Sequence, residues 1–330
     1  MTMLEMVDRF CDQLEEAIQI GSTALIDRCV KDPGQIYVAG MGGSGIGADL
    51  VSALTKTQLK VPYLVGKSYE APHYINSQSI VVASSYSGNT EETLSCLEEV
   101  KKKGSRIIVI SSGGELLKQA KENKWEYIQL PSDWPSPRAC LSYSVVAQLY
   151  MLFHLGLIKD NFVGELRNSI QRLRSEKDEI KEKAAHLANA LFEKNAVIYS
   201  TDQFEPVAVR FRQQINENAK RLCWHHTIPE MNHNELVGWR KNDPKLAVLF
   251  LRSSSDHPRN IVRMDLTKEI ASHYAGACIE LFAKGDSFLE RVFYLIHLTD
   301  YISVFLADLN KVDAVEVKVI DFLKQELAKV

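Results

Sequence analysis

The sequence predicts an α/β protein of two halves, each a mostly parallel sheet flanked by helices on both faces (an αβα sandwich). Three observations carry that expectation. Short apolar runs at 36–39, 62–66, 80–83 and 107–111 alternate with helical segments at 45–56, 90–103 and 114–122, and strand alternating with helix builds βαβ units. Two of these runs end in unusual loops, Ala39-Gly40-Met41-Gly42-Gly43-Ser44-Gly45-Ile46-Gly47 and Ser84-Ser85-Tyr86-Ser87-Gly88-Asn89-Thr90-Glu91-Glu92. A second alternation begins at Ala196-Val197-Ile198-Tyr199.

Leu4, Val7, Phe10, Leu14 and Ile18 recur at helical spacing, so the chain opens on an amphipathic helix. The four apolar runs and a fifth, Tyr127-Ile128-Gln129-Leu130, form the first sheet. Pro131, Pro135 and Pro137 then break the chain before a long apolar helix over about 141–157. A charged helical stretch at 163–195 connects to the second half, and the halves divide as 1–155 and 156–330. There the predicted order is strand at Ala196, helix over 204–220, strands at 245–251 and 276–282, a long helix near 286–309 and a last helix over 314–328. Ser200-Thr201-Asp202-Gln203 repeats the strand–loop–helix start without glycines. This reads as a duplication whose second copy kept the sheet and lost the glycine loop.

Bulk properties narrow the function. The chain has 330 residues, enough for two ordinary cores, and 45% hydrophobic with 25% charged residues is a globular balance. A formal charge of −3 offers no attraction to nucleic acid or an anionic membrane. No apolar run approaches the roughly 18–20 residues that span a bilayer, and the acidic start (Glu5, Asp8, Asp12, Glu15, Glu16) is unlike a secretory signal. Six scattered cysteines, without CxxC or metal-ligand spacing, suit a reducing compartment. A cytoplasmic protein is expected.

The two loops carry the chemistry. Loops at the carboxyl ends of parallel strands are where open α/β sheets bind ligands. Gly42 and Gly43 allow close backbone approach, while Ser44, Ser85, Ser87 and Thr90 add hydroxyls around helix starts, an arrangement suited to phosphate. Gly40, Gly42 and Gly45 also satisfy GxGxxG, the dinucleotide fingerprint. That fingerprint expects an acid about 20 residues on, and none appears until Glu70. No GK[ST] follows the glycines, which excludes a P-loop. His225, His226 and His233 lack a completing Cys or Asp, so no metal site is expected.

With these motifs in place, the pair Gly-x-Gly-Gly-Ser-Gly and Ser-Tyr-Ser-Gly-Asn-Thr-Glu-Glu resembles the sugar isomerase (SIS) domain, a phosphosugar-binding fold. Further segments resemble one branch of it: Pro137-Arg138-Ala139-Cys140-Leu141, Asn216-Glu217-Asn218-Ala219-Lys220, Pro229-Glu230-Met231-Asn232-His233-Asn234-Glu235 and Ile320-Asp321-Phe322-Leu323-Lys324. The chain is similar, over nearly its whole length, to the bifunctional phosphoglucose/phosphomannose isomerases.

The resemblance implies two SIS-type domains and interconversion of glucose 6-phosphate and mannose 6-phosphate with fructose 6-phosphate through a cis-enediol, with no cofactor. It implies Glu217 as the base that moves the proton, Arg138 as the fixed charge facing the enediolate, His233 as the acid–base group for ring opening and Lys324 as a fourth member from the last helix. Gly42, Gly43, Ser44, Ser85, Ser87 and Thr90 would hold the phosphate. It further implies a homodimer in which His233 is donated by the neighbouring subunit. Read without the resemblance, Glu217 is a helix-surface ion-pair residue beside Arg210, Arg212, Lys220 and Arg221, and the loops suit equally a non-catalytic phosphosugar sensor or an isomerase of another sugar phosphate.

Overall fold

A computed structural model describes residues 1–329. The chain forms two compact units: an N-terminal unit of Asp8–Arg174 with Ser287–Glu290, and a C-terminal unit of Met1–Val7, Ser175–Asp286 and the chain from Arg291 on.

The chain opens on two helices, α1 (Met3–Asp8) and α2 (Phe10–Ser22), the second of them part of the N-terminal unit. Strand β1 (Gln35–Ala39) leads into α3 (Gly42–Thr55), then β2 (Tyr63–Gly66), β3 (Ser79–Ser84), α4 (Glu91–Val100), β4 (Arg106–Ser111), α5 (Gly114–Glu122) and β5 (Glu126–Gln129). All pairings are parallel, in the order β2-β1-β3-β4-β5. The central β3 is buried at every position, as a strand covered on both faces must be. Tyr37, Val81 and Val109 on the sheet pack with Cys96, Leu97 and Leu116 from α4 and α5.

The chain runs from β1 to β2 on one side, then crosses to β3 on the other. That reversal opens a crevice at the carboxyl ends of β1 and β3, where Ala39 and Ala83 are in register. Beyond the prolines, α6 (Leu141–His154) is apolar all round and buried from Leu141 to Leu152. Its polar groups are matched internally, with Ser142 Oγ donating to Gln13 Oε1 at 2.6 Å. The expected single charged helix is two, α7 (Asn161–Ser175) and α8 (Lys177–Leu191), separated by Glu176 at φ −99° and ψ 10°.

The C-terminal unit holds β6 (Asn195–Thr201), α9 (Glu205–Glu217), β7 (Cys223–Ile228), β8 (Asp243–Arg252), α10 (Pro258–Ser272), β9 (Ala275–Phe282), α11 (Phe288–Leu309) and α12 (Lys318–Leu327). Its four parallel strands run β7-β6-β8-β9, so it has its own reversal between β6 and β8. Strand β7 and helix α10 have no counterpart in the sequence expectation. Cys-Trp-His-His-Thr-Ile is an edge strand with a half-exposed, polar middle, which leaves neither an apolar run nor a clean alternation.

Against expectation, one segment among the described residues, α11, is long and apolar enough to cross a bilayer by length and composition. It is a core helix: 83% of its apolar window is buried inside the fold. Asp300, 3% exposed, pairs there with Arg210 at 2.6 Å. Burial pushes the Asp300 carboxyl above the ordinary carboxylate range, with Arg210 and Gln214 acting in the opposite direction.

Candidate active site in two parts

The first part stands over the crevice between β1 and β3. The glycine loop is built for close passage: a Cβ on Gly40 would lie 2.9 Å from Ser84 O, so only glycine lets the loop run against β3. Gly42 has φ +49°, and a Cβ there would meet nothing within 4 Å, so the backbone at the loop tip is open. As the first residues of α3, Gly42 and Gly43 carry N–H groups that the helix itself leaves unpaired. Ser44 follows, 8% exposed.

Across the crevice, Ser85 Oγ lies 2.7 Å from Thr90 Oγ1 and 3.5 Å from Ser87 Oγ, so the three hydroxyls form one cluster at the start of α4. Their directions are set by the turn: Gly88 N–H donates to Ser85 Oγ at 3.1 Å, and Asn89 N–H to Ser87 Oγ at 3.3 Å. Asn89 Oδ1 accepts from the N–H of Glu115 at 2.9 Å, tying the loop to α5. Ser85 is buried, while Ser87 reaches the surface. Helix N–H groups, the dipole and rotatable hydroxyls are together a donor set of the kind that suits an anion.

The turn Pro137–Cys140 brings Arg138 to the same place. A Cβ on Gly43 would sit 3.5 Å from Pro137 O and 3.9 Å from Arg138 Cα. Arg138 is 9% exposed. One cation escaped the sequence reading: Lys67, at the end of β2, passes its Cε within 3.1 Å of a Gly45 Cβ. Its ammonium is paired with Asp49 on α3. A surface recess beside β5, lined by Ile20, Leu25, Trp125 and Tyr127, includes none of these residues.

The second part lies in the C-terminal unit. Glu217 is the last residue of α9 and half-buried. The turn after it is held by side-chain amides: Asn218, fully buried, donates to Ser303 Oγ at 2.9 Å, and Asn216 donates to Arg221 O at 2.7 Å. Just past α11, Asn310 donates to Ala219 O at 2.9 Å. Lys220, at φ +56°, donates to Glu217 O and, at 2.7 Å, to Glu316 O, linking this turn to the stem of α12. The asparagines beside Glu217 are thus its frame.

His233 ends the short turn Glu230–His233 and is exposed. The flanking amides serve that turn: Asn232 donates to Thr267 Oγ1 at 2.9 Å, and Asn234 donates to Glu230 Oε1 at 3.0 Å. Lys324 lies on α12, a helix exposed along its length. Burial of His225, with Arg212 and His226 nearby, pushes its imidazole down to about 4. Among the described residues, no three His, Cys, Asp or Glu side chains are grouped to hold a metal ion.

Comparisons with known proteins find two domain profiles in succession along the chain. The profile of the SIS domain matches residues 30–152, and that of the bacterial phospho-glucose isomerase C-terminal SIS domain matches 180–327. The chain is 36% identical, over 99% of both chains, to a bifunctional phosphoglucose/phosphomannose isomerase of Caldicellulosiruptor bescii. It is 37% identical to one of Aquifex aeolicus, over 89% of this chain and 90% of that one. In fold it resembles the C-terminal domain of glucosamine-fructose-6-phosphate aminotransferase from Francisella tularensis, with a TM-score of 0.73 at 14% identity, covering 94% of this chain and 97% of that one.

Proposed function

The chain belongs to the family of bifunctional phosphoglucose/phosphomannose isomerases, and from that premise we propose that it interconverts glucose 6-phosphate and mannose 6-phosphate with fructose 6-phosphate. The reaction is an aldose–ketose isomerisation. The sugar ring opens, a proton leaves C2, and it is returned at C1 by way of a cis-enediol. The work for the protein is to hold the phosphate, move protons and balance the enediolate charge.

The observation that carries the substrate class is the convergence of the Ser85, Ser87 and Thr90 hydroxyls, 2.7 and 3.5 Å apart, opposite the glycine loop. Phosphate oxygens accept from these hydroxyls, from Ser44 and from the N–H groups of Gly42 and Gly43. Arg138, permanently charged and planar, faces the enediolate. Glu217 takes the C2 proton and returns it at C1. His233 moves the proton that opens the ring, and Lys324 serves the ring oxygen or the enediolate.

The working form is a homodimer in which each His233 serves the other chain's site. Its support is the exposure of His233 and the apolar surface left on the same unit: Leu222 and Trp224 at the edge strand, 75% and 52% exposed, and Val319 and Phe322 on α12, 82% and 62% exposed. An open strand edge beside exposed apolar groups calls for a partner surface. The six cysteines are free, which fits a reducing cytoplasmic compartment.

The test is a coupled assay for fructose 6-phosphate started from each aldose phosphate with a chelator present. Turnover of both is the expected result. Turnover of neither overturns the reading, and dependence on added metal replaces the proposed mechanism with a metal-assisted one.

A further inference from the structure

The C-terminal unit repeats the geometry of the phosphate crevice but fills it differently. Its strand order reverses between β6 and β8, so the loops following those strands meet at a second switch point. The turn Ser253–Asp256 reproduces Ser85–Gly88. Asp256 N–H donates to Ser253 O at 3.2 Å, as Gly88 N–H does to Ser85 O at 3.2 Å. The leading hydroxyls are paired in both, Ser253 with Ser255 at 2.9 Å and Ser85 with Ser87 at 3.5 Å.

The difference is one side chain. Where the first turn has Gly88, the second has Asp256, 4% exposed. Its carboxylate accepts from the Ser253 N–H at 2.8 Å, the Thr201 hydroxyl at 2.9 Å and the Gln203 amide at 2.9 Å. These donors come from both loops, as they would around a bound oxyanion. The neighbouring cation is engaged elsewhere: Arg252, 7% exposed, donates to Asp265 at 2.7 Å and Glu280 at 2.8 Å. A phosphate entering here would meet a buried carboxylate and donors already in use.

We propose that this second loop pair is an oxyanion cradle closed by the chain's own Asp256 carboxylate, so that each chain takes its phosphosugar at the N-terminal loops alone. The inference rests on the reading of the N-terminal loops as a phosphate site. It also predicts that removing the carboxylate reopens the second cradle to phosphate.

The test titrates inorganic phosphate into the isotope-labelled full chain and follows individual backbone amides by NMR. In the native chain the Gly43 and Gly88 amides shift while Ser253 stays still. In Asp256→Gly, which restores the residue of the first turn, Ser253 shifts as well. Asp256→Asn keeps the side-chain volume and removes the charge, and serves where the glycine variant folds poorly; its Ser253 amide also shifts. A Ser253 amide that moves in the native chain overturns the proposal. So does an immobile Ser253 in either folded variant. Still Gly43 and Gly88 amides would instead refute the N-terminal phosphate site, and the Ser253 comparison would be read independently.

Discussion

Ser85 Oγ and Thr90 Oγ1 lie 2.7 Å apart across the start of α4, close enough for one phosphate oxygen to bridge them. Ser85 is 2% exposed, so its hydroxyl is held in place and already oriented before any ligand arrives. Hydrogen bonds to a charged group contribute about 1.5–3 kcal/mol each. Ser85→Ala and Thr90→Val should therefore each raise KM for both aldose 6-phosphates by roughly tenfold to a hundredfold. Steady-state kinetics check this, and an unchanged KM in both variants would remove these hydroxyls from the phosphate site.

Composite sites make a specific prediction about mixed chains. Glu217→Gln and His233→Ala should each reduce turnover by roughly 10²–10⁴-fold, the usual loss for an acid–base group. If each His233 serves the other chain, mixing the two inactive variants and allowing subunit exchange regenerates one intact site per hybrid dimer. Activity that reappears on mixing is the expected outcome. Mixtures that exchange subunits but stay inactive would place Glu217 and His233 in the same chain's site.

The buried Arg210–Asp300 pair anchors α9 to α11 behind the turn that carries Glu217. Removing only the cation leaves a carboxylate buried beside Gln214. Arg210→Met should destabilise the chain by about 3–5 kcal/mol. The double change Arg210→Met with Asp300→Leu should recover much of that loss, because two apolar groups leave no charge unpaired. Denaturant unfolding of the three proteins measures both effects.

His225 predicts acid sensitivity of the C-terminal unit. Its folded-state pKa is pushed down to about 4 from 6.5, so the unfolded chain binds this proton more readily. The neutral side chain contributes full stability above about pH 6.5, and that contribution falls as pH drops from about 6.5 to about 4. His225→Gln should flatten the stability profile across this window. A profile unchanged by the substitution would show that other groups govern acid unfolding.

How much of this was legible in sequence depends on the range of each interaction. The loops at 40–47 and 84–92 declare themselves because glycine freedom, hydroxyl donors and helix starts are local properties. Glu217 does not: a glutamate ending a helix looks like any surface acid, and its proposed role comes from resemblance. The partners of Asn218 and Lys220, Ser303 and Glu316, are 85 and 96 residues away, beyond any periodic pattern. The charged stretch at 163–195 looked like one helix because the break at Glu176 involves neither glycine nor proline.

The sequence by itself determined two parallel α/β halves and the phosphate-suited character of the first loop pair, since strand–helix alternation and glycine–hydroxyl loops are short-range features. The fate of the second loop pair was decided only in three dimensions. Ser200-Thr201-Asp202-Gln203 looked like a loop that had merely lost its glycines, and nothing near it marks Asp256. Folding sets β6 beside β8 and carries the Asp256 carboxylate to Thr201, 55 residues away in sequence. There a buried charge must find donors, and the donors of an empty cradle are the ones at hand.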